Sequence, residues 1–155
     1  MHKPPLLIMR SLNNSGHLKD LGNAFEAEDP PINIRAIGGA EVEGTGVFLI
    51  LIDDDTEERR QRVREIAGTI GIEHVELSGV VFEVVDEPGA LGDAAETLED
   101  AGVNVHGLLV VGAVENRAIV LAGVENDEMA EAARTALDDA EYTVYPAEYG
   151  HEAAP

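Results

Sequence analysis

The stretch VVFEVVDEPGALGDAAETLEDAGVNV, residues 80–105, decides the fold. An apolar run of strand character ends in the acidic turn 86–89, and a helical pattern with leucine and alanine on one face follows it. A second apolar run begins at Val103. Gly89 can adopt a positive φ and lets another molecule approach the backbone closely. The local order is therefore strand, tight turn, helix, strand.

Periodicity predicts the same order of elements in both halves of the chain. The predicted strands cover residues 6–12, 32–42, 46–52 and 72–77 in the first half, and 80–85, 103–114, 118–124 and 142–146 in the second. One helix follows the first strand of each half and another follows the third. Gly16 corresponds to Gly89, and Leu18 corresponds to Leu91; both leucines are expected to face inward. We interpret the chain as a tandem duplication.

A β-α-β-β-α-β unit forms the ferredoxin-like fold, an antiparallel sheet with both helices packed on one face. The fold class is therefore α+β with two such units, at residues 5–77 and 79–146, followed by a frayed tail at 147–155. Each unit alone leaves one sheet face bare and its edge strands exposed. We expect the two units to cover each other, edge to edge or helix face to helix face, and the chain to form a homodimer.

The charge balance limits the classes of partner. The 155 residues include 31 Asp and Glu against 10 Lys and Arg, which gives a net charge of −21, and the acids are scattered along the chain. Such a surface disfavours nucleic acid and anionic membranes. It resembles proteins of a salt-rich cytoplasm, as in halophilic archaea; an ordinary acidic mesophilic protein is the alternative.

Composition also limits the chemistry and the location. The chain has no cysteine, which excludes disulfides, thiolate catalysis and cysteine-bound zinc. Its five histidines show no spacing suited to a shared metal, so neither a metal nor a cofactor is predicted. No apolar stretch is long enough for a signal-peptide core or a membrane span, which predicts a cytoplasmic protein.

The acidic surface predicts a salt-dependent stability. We expect the melting temperature to rise between low and molar KCl, because counterions screen the repulsion among the acidic side chains. Thermal unfolding followed by circular dichroism across a KCl series measures the effect. A flat profile would contradict salt adaptation.

The turn and the following strand have the groups that a free amino acid needs. The helix after the turn begins with unpaired N–H groups and a positive dipole end, which suit a carboxylate. Asn104 has both donor and acceptor atoms, and Asp86 or an exposed carbonyl can accept from an ammonium group. In the alternative interpretation Asp86 caps the helix and Asn104 bonds backbone. These features alone favour the alternative.

The pattern resembles the ACT domain. The residues that carry the resemblance are Asp86, Pro88, Gly89 and Leu91, followed by Gly-Val-Asn-Val at 102–105. The order of elements extends it over both halves, with the second half as the better match. The resemblance implies a protein that binds a small effector, most often an amino acid, and regulates a metabolic enzyme. It further implies that the ligand lies where the first turn of one domain faces the second strand of another.

Carried over by position, the resemblance implies a set of ligand-binding residues in each half. In the second half they are Asp86, Pro88, Gly89, Ala90, Leu91, Asn104 and Val105. In the first half they are Asn13, Asn14, Gly16, His17, Leu18, Asn33 and Ile34. The first half has Asn-Asn-Ser where the second has Asp-Glu-Pro, so a different ligand, or a single occupied site, is expected there.

Three functions remain open on the sequence. The first is a regulatory protein without catalytic activity, which senses a free amino acid and acts in trans on an enzyme of aspartate-family or branched-chain synthesis. The second is a structural assembly module of ferredoxin-like fold whose turns bind nothing. The third is an enzyme with His17 or His106 as a base, for which the sequence lacks a convergent set of catalytic residues.

Overall fold

A computed structural model describes residues 5–12, 16–53 and 56–146. The chain there forms, in order, β1 (Pro5–Leu12), α1 (His17–Glu26), β2 (Ile34–Val42), β3 (Thr45–Ile52), α2 (Glu57–Ile70), β4 (Glu73–Val85), α3 (Ala90–Asp100), β5 (Gly107–Val114), β6 (Arg117–Val124) and α4 (Asp127–Asp139). The strands make one antiparallel six-stranded sheet in the order β2-β3-β1-β4-β6-β5. No helix in these ranges is both long and apolar enough to cross a membrane.

Local sequence sets the limits of two helices. The hydroxyl of Thr56 accepts a hydrogen bond from the Arg59 N–H at 3.2 Å, and α2 ends at Gly71 in the left-handed conformation. The side chain of Asn126 accepts from the Met129 N–H at 2.9 Å and begins α4. The two helices that follow the candidate turns, α1 and α3, begin without a side-chain cap from the described residues.

One long strand joins the two halves. The prediction of separate strands at 72–77 and 80–85 is wrong, because β4 runs without a break through Ser78 and Gly79. Helix α4 holds this point: Ser78 Oγ donates to Asp127 Oδ1 at 2.7 Å, and an Arg134 guanidinium nitrogen donates to the Gly79 carbonyl at 3.0 Å. Strand β1 pairs with the start of β4, and β6 pairs with its end. The division into two domains stays a prediction.

The core has three clusters, one of which belongs to both halves. Helices α1 and α2 cover a cluster of first-half residues, and α3 and α4 cover a cluster of second-half residues. The third cluster joins Leu51 and Leu77 of the first half to Val81, Leu109 and Leu121 of the second. The edge strands β2 and β5 approach so closely that a Cβ on residue 38, a glycine, would lie 2.9 Å from Leu109 Cδ2. The centre of the sheet face without helices is therefore buried by residues of both halves.

Three predicted strands are shorter in the structure, and the first of them, β2, begins at Ile34 instead of residue 32. Strand β5 begins at Gly107 instead of residue 103. The predicted strand 142–146 contributes one bridge, between Val144 and Phe82. Residues 147–155, predicted to be a frayed tail, lie outside the described residues.

A carboxylate fastens the end of the described chain to the sheet. Tyr145 Oη donates to Glu83 Oε1 at 2.6 Å, and Arg117 Nη1 lies 3.0 Å from Glu83 Oε2. The Glu83 side chain is only 11% exposed. These two contacts, led by the Tyr145 hydrogen bond, lower the pKa of Glu83 below its ordinary value.

The lowered pKa of Glu83 predicts a loss of stability in acid. A carboxyl whose pKa is lower in the folded state stabilises the fold above its unfolded pKa, and this contribution disappears as the pH falls through the folded value. We expect Glu83→Gln to be less stable than the wild type at pH 7, by a gap that narrows as the pH falls below about 5. Urea unfolding at each pH measures it, with exposed Glu96→Gln as the control. A gap that stays constant with pH would contradict the assignment.

Candidate functional site

The turn before α3 is exposed and tied down by backbone bonds. Gly89 has φ 90°, and a Cβ placed on it would meet nothing within 4 Å. The Asp86 N–H donates to the Asn116 carbonyl at 2.7 Å, and the Ala90 N–H donates to the Glu87 carbonyl at 3.2 Å. The backbone at Gly89 is therefore fixed in a shape that favours glycine, with open space beside it.

The first turn of α3 offers free backbone donors. Its first intrahelical bond runs from the Asp93 N–H to the Gly89 carbonyl at 3.0 Å. The N–H groups of Leu91 and Gly92 have no hydrogen-bond partner among the described residues, and no side chain caps the helix. The alternative in which Asp86 caps α3 is therefore wrong, and these donors can bind an anionic group.

The two leucines beside the turns are exposed, contrary to the prediction that they face inward. Leu18 is 52% exposed and Leu91 is 45% exposed. Each lies in the first turn of its helix, and the buried faces of the helices begin three residues later, at Leu21 and Ala94. Both turns therefore have an apolar side chain that can contact a ligand or a second chain.

The turn of the first half has a different backbone. Gly16 has φ −133°, so it does not need the left-handed conformation. His17 follows it, half-buried, and its Nδ1 has no hydrogen-bond partner in the described structure. Asn13 and Asn14, the other candidates of this turn, lie outside the described residues.

The two candidate asparagines differ in their contacts. Asn33 Nδ2 donates to Asp53 Oδ2 at 2.6 Å, and the Asp53 N–H donates to the Asn33 carbonyl at 2.9 Å. Arg35 Nε lies 3.2 Å from Asp53 Oδ1. Asn104 is exposed, and its side chain makes no hydrogen bond within the described ranges. Asp53 and Arg35 were not among the predicted site residues.

The remaining candidates contribute backbone or shape. Pro88 is exposed and Ala90 is half-buried at the start of α3. Ile34 and Val105 are half-buried and pack against the cores beneath the helices of their own halves.

The strand register separates the turn of the second half from its strand start. The turn follows Val85, which lies opposite Arg117 at one end of the sheet. Strand β5 begins at Gly107, which lies opposite Gly123, and the other neighbour of Gly123 is Gly79. Val85, next to the turn, and Gly79, level with the start of β5, are six residues apart on β4. The turn and the start of β5 are therefore about 20 Å apart along the strand direction, at roughly 3.3 Å per residue.

The first half shows the same separation. Ile34 lies opposite Ile52, next to the end of β1 that pairs with Ser78. The starts of β2 and β5 therefore lie level with the middle of β4. The turn of the first half lies beyond the start of β4, and the turn of the second half lies beyond its end. Within the chain, neither turn is level with the start of β2 or of β5.

A cleft of about 430 Å³ lies elsewhere, between the end of α1 and the start of α2. It is lined by Glu28, Asp29, Pro30, Thr56, Glu58, Arg59, Gln61, Arg62 and Glu65. Arg62 pairs with Glu28 at 2.8 Å and with Glu65 at 2.9 Å. The hydrogen bonds to Arg62 lower the pKa of both carboxyls and raise the pKa of Arg62. This cleft contains no predicted site residue, and its four acidic side chains outnumber its two arginines.

No protein-family model and no curated protein matches the sequence. Solved structures do match over almost the whole chain. The regulatory subunit of aspartate kinase from Thermus thermophilus aligns with a TM-score of 0.63 at 16% identity, over 90% of this chain and 93% of that one. This chain therefore shares its fold with that subunit.

Two further structures have the same architecture. A protein of Bacteroides thetaiotaomicron aligns with a TM-score of 0.69 at 18% identity, over 97% of this chain and 96% of that one. A putative C-terminal regulatory domain of aspartate kinase from Porphyromonas gingivalis aligns with a TM-score of 0.54 at 18% identity, over 88% and 91%. These likenesses support the ACT-like fold implied by the sequence, and at these identities they show the fold alone.

Proposed function

We propose that the chain is a regulatory protein without catalytic activity, which binds a free amino acid and controls a biosynthetic enzyme in trans. The observation that carries the proposal is the exposed left-handed turn at Gly89, which leaves backbone donors of α3 free on the fold of an aspartate kinase regulatory subunit. An enzyme of the aspartate family is accordingly the first partner to test, and one of branched-chain synthesis the second. Residues 5–77 and 79–146 act as two ACT-like units in the cytoplasm.

The turn suits one end of an amino acid. The free N–H groups of Leu91 and Gly92 bind the carboxylate, with the positive end of the α3 dipole behind them. Asp86 is exposed in the same turn and can accept from the ammonium group. The exposed side chain of Leu91 provides apolar contact.

A second copy of the chain completes the site. Asn104 is level with the middle of β4, about 20 Å along the strand from the turn, so the same ligand does not reach both within one half. In a homodimer the turn of one chain faces the Asn104 strand start of the other. The effector then binds at the junction of two chains and stabilises the dimer through linkage.

Regulation follows from this position as a population shift. An effector that contacts both chains favours the one arrangement in which turn and strand start face each other. An enzyme that prefers that arrangement binds more tightly when effector is present, and by reciprocity the effector binds more tightly when enzyme is present.

The structural assembly module is the second candidate. It is favoured by exposed apolar side chains on both edge strands: Ile37 on β2 is 47% exposed and Val110 on β5 is 62% exposed. In that case amino acids change neither the stability of the protein nor its state of association.

Isothermal titration calorimetry against the twenty amino acids in concentrated KCl separates the two functions. The proposal predicts saturable heat from one or two amino acids. It also predicts that the same amino acids favour the dimer in analytical ultracentrifugation. If none of the twenty amino acids gives a heat of binding, and the protein is shown to be folded, the sensor proposal is wrong and the assembly module remains.

A further inference from the structure

The residues at the start of β2, called here the strand start of the first half, bind the carboxylate of Asp53, which belongs to the chain itself. Asp53 accepts from Asn33 through Oδ2 and pairs with Arg35 through Oδ1, so each carboxylate oxygen has its own donor. The Arg35 side chain is 20% exposed and the Asp53 side chain is 39% exposed. This is the geometry in which an asparagine and an arginine bind a free carboxylate.

The strand start of the second half has the same kinds of residue without that contact. Asn104 and His106 occupy the positions that Asn33 and Arg35 occupy in the first half. Glu125 directly follows β6, as Asp53 directly follows β3. Asn104, His106 and Glu125 are all exposed, and among the described residues no hydrogen bond joins their side chains.

We infer that the first strand start is a carboxylate site closed by Asp53, and that the second strand start is its open counterpart. There Asn104 and His106 bind an oxygen of the effector; this part rests on the proposed function. A tethered carboxylate has an effective concentration in roughly the millimolar range or above, so a free acid does not displace Asp53 at ordinary concentrations. The duplication therefore provides one effector site per chain.

Chemical rescue with acetate tests the closed site without any effector. The test protein combines Asp53→Ala with Asp54→Asn and Asp55→Asn, so that no neighbouring carboxylate replaces Asp53. We expect its melting temperature to fall by about 2–8 °C, because two hydrogen-bonded contacts are lost. Potassium acetate at about 0.2 M should restore at least half of the loss relative to KCl at equal ionic strength.

Two further variants make the rescue specific. Adding Asn33→Ala to the test protein should abolish the acetate effect, because one of the two donors is then missing. Asp53→Ser replaces Asp53→Ala if the latter fails to fold. Equal melting temperatures in acetate and chloride would overturn the inference and leave the Asn33–Asp53 contact as a strand-end hydrogen bond.

Calorimetric stoichiometry provides the second test. We expect one amino acid per chain in the wild type, an affinity at least about tenfold lower in Asn104→Ala, and a second binding event in Asp53→Ala. The exposed Asn23→Ala is the matched control for the first variant. Two events per wild-type chain would overturn the inference. If no amino acid binds the wild type, the proposed function fails, while the acetate result still decides whether the first site is closed by Asp53.

Discussion

Gly89→Trp should lower the affinity for the effector amino acid at least about 100-fold, a loss of roughly 2.7 kcal/mol. The Cβ position of Gly89 faces open space, and an indole there would occupy the volume through which a ligand reaches the free N–H groups of α3. Tryptophan at φ 90° also strains the turn and displaces those donors. Calorimetry with the amino acid found in the panel measures the loss.

Gly71→Trp is the matched control. Gly71 has φ 89° and open space around its Cβ position, but it ends α2 and belongs to neither candidate site. Both substitutions place an L-residue in the left-handed region, at a cost of about 1–2 kcal/mol, so their melting temperatures should fall by similar amounts. Equal binding by the two variants would show that the Gly89 turn is not the effector site.

Leu121→Ala should destabilise both halves of the chain together, by about 2–5 kcal/mol. Leu121 is fully buried in the cluster that joins residues of the two halves, on the sheet face without helices. Because β4 also belongs to both halves, a cavity at this point weakens packing on each side of it. The two halves should therefore unfold in one transition, in the mutant as in the wild type.

The composition provides a separate probe for each half. Nine of the ten isoleucines precede residue 73, and all three tyrosines follow residue 141. Isoleucine methyl NMR signals thus report mainly the first half, and near-ultraviolet circular dichroism of tyrosine reports the end of the second. The exposed Leu18→Ala is the control and should change the midpoint little. Isoleucine signals that survive at temperatures where the tyrosine signal is lost would contradict a shared core.

The order of elements was readable from the sequence because helix and strand periodicities are local. The apolar residues of α2 follow that rule, because Val63, Ile66 and Ala67 are buried at helical spacing before the capping Gly71. Leu18 and Leu91 do not follow it, because a helical pattern does not show which residues of the first turn are exposed. Whether a side chain at a helix end is exposed depends on how the helix packs in the tertiary structure.

The contacts between the halves were not readable. Ser78 and Gly79 have the composition of a linker, yet each makes a hydrogen bond with α4, and pairing on both sides holds them in β4. The Asn33–Asp53 contact joins residues 20 positions apart, through the register of β2 with β3. Aligning the acid after each third strand would have brought Asp53 and Glu125 to notice as equivalent positions.

The central claim is that one effector is bound by the Gly89 turn of one chain and the Asn104 strand start of another. The most direct measurement is calorimetry on a mixture of two defective variants, Gly89→Trp and Asn104→Ala, after dissociation and reassociation. Each variant alone lacks one half of every site, whereas a mixed dimer regains one intact site from the unchanged turn of one chain and the unchanged Asn104 of the other. With random pairing, half of the dimers are mixed and the claim predicts that about a quarter of the wild-type sites return at wild-type affinity. No recovery in a mixture shown to contain mixed dimers would contradict a site shared between chains.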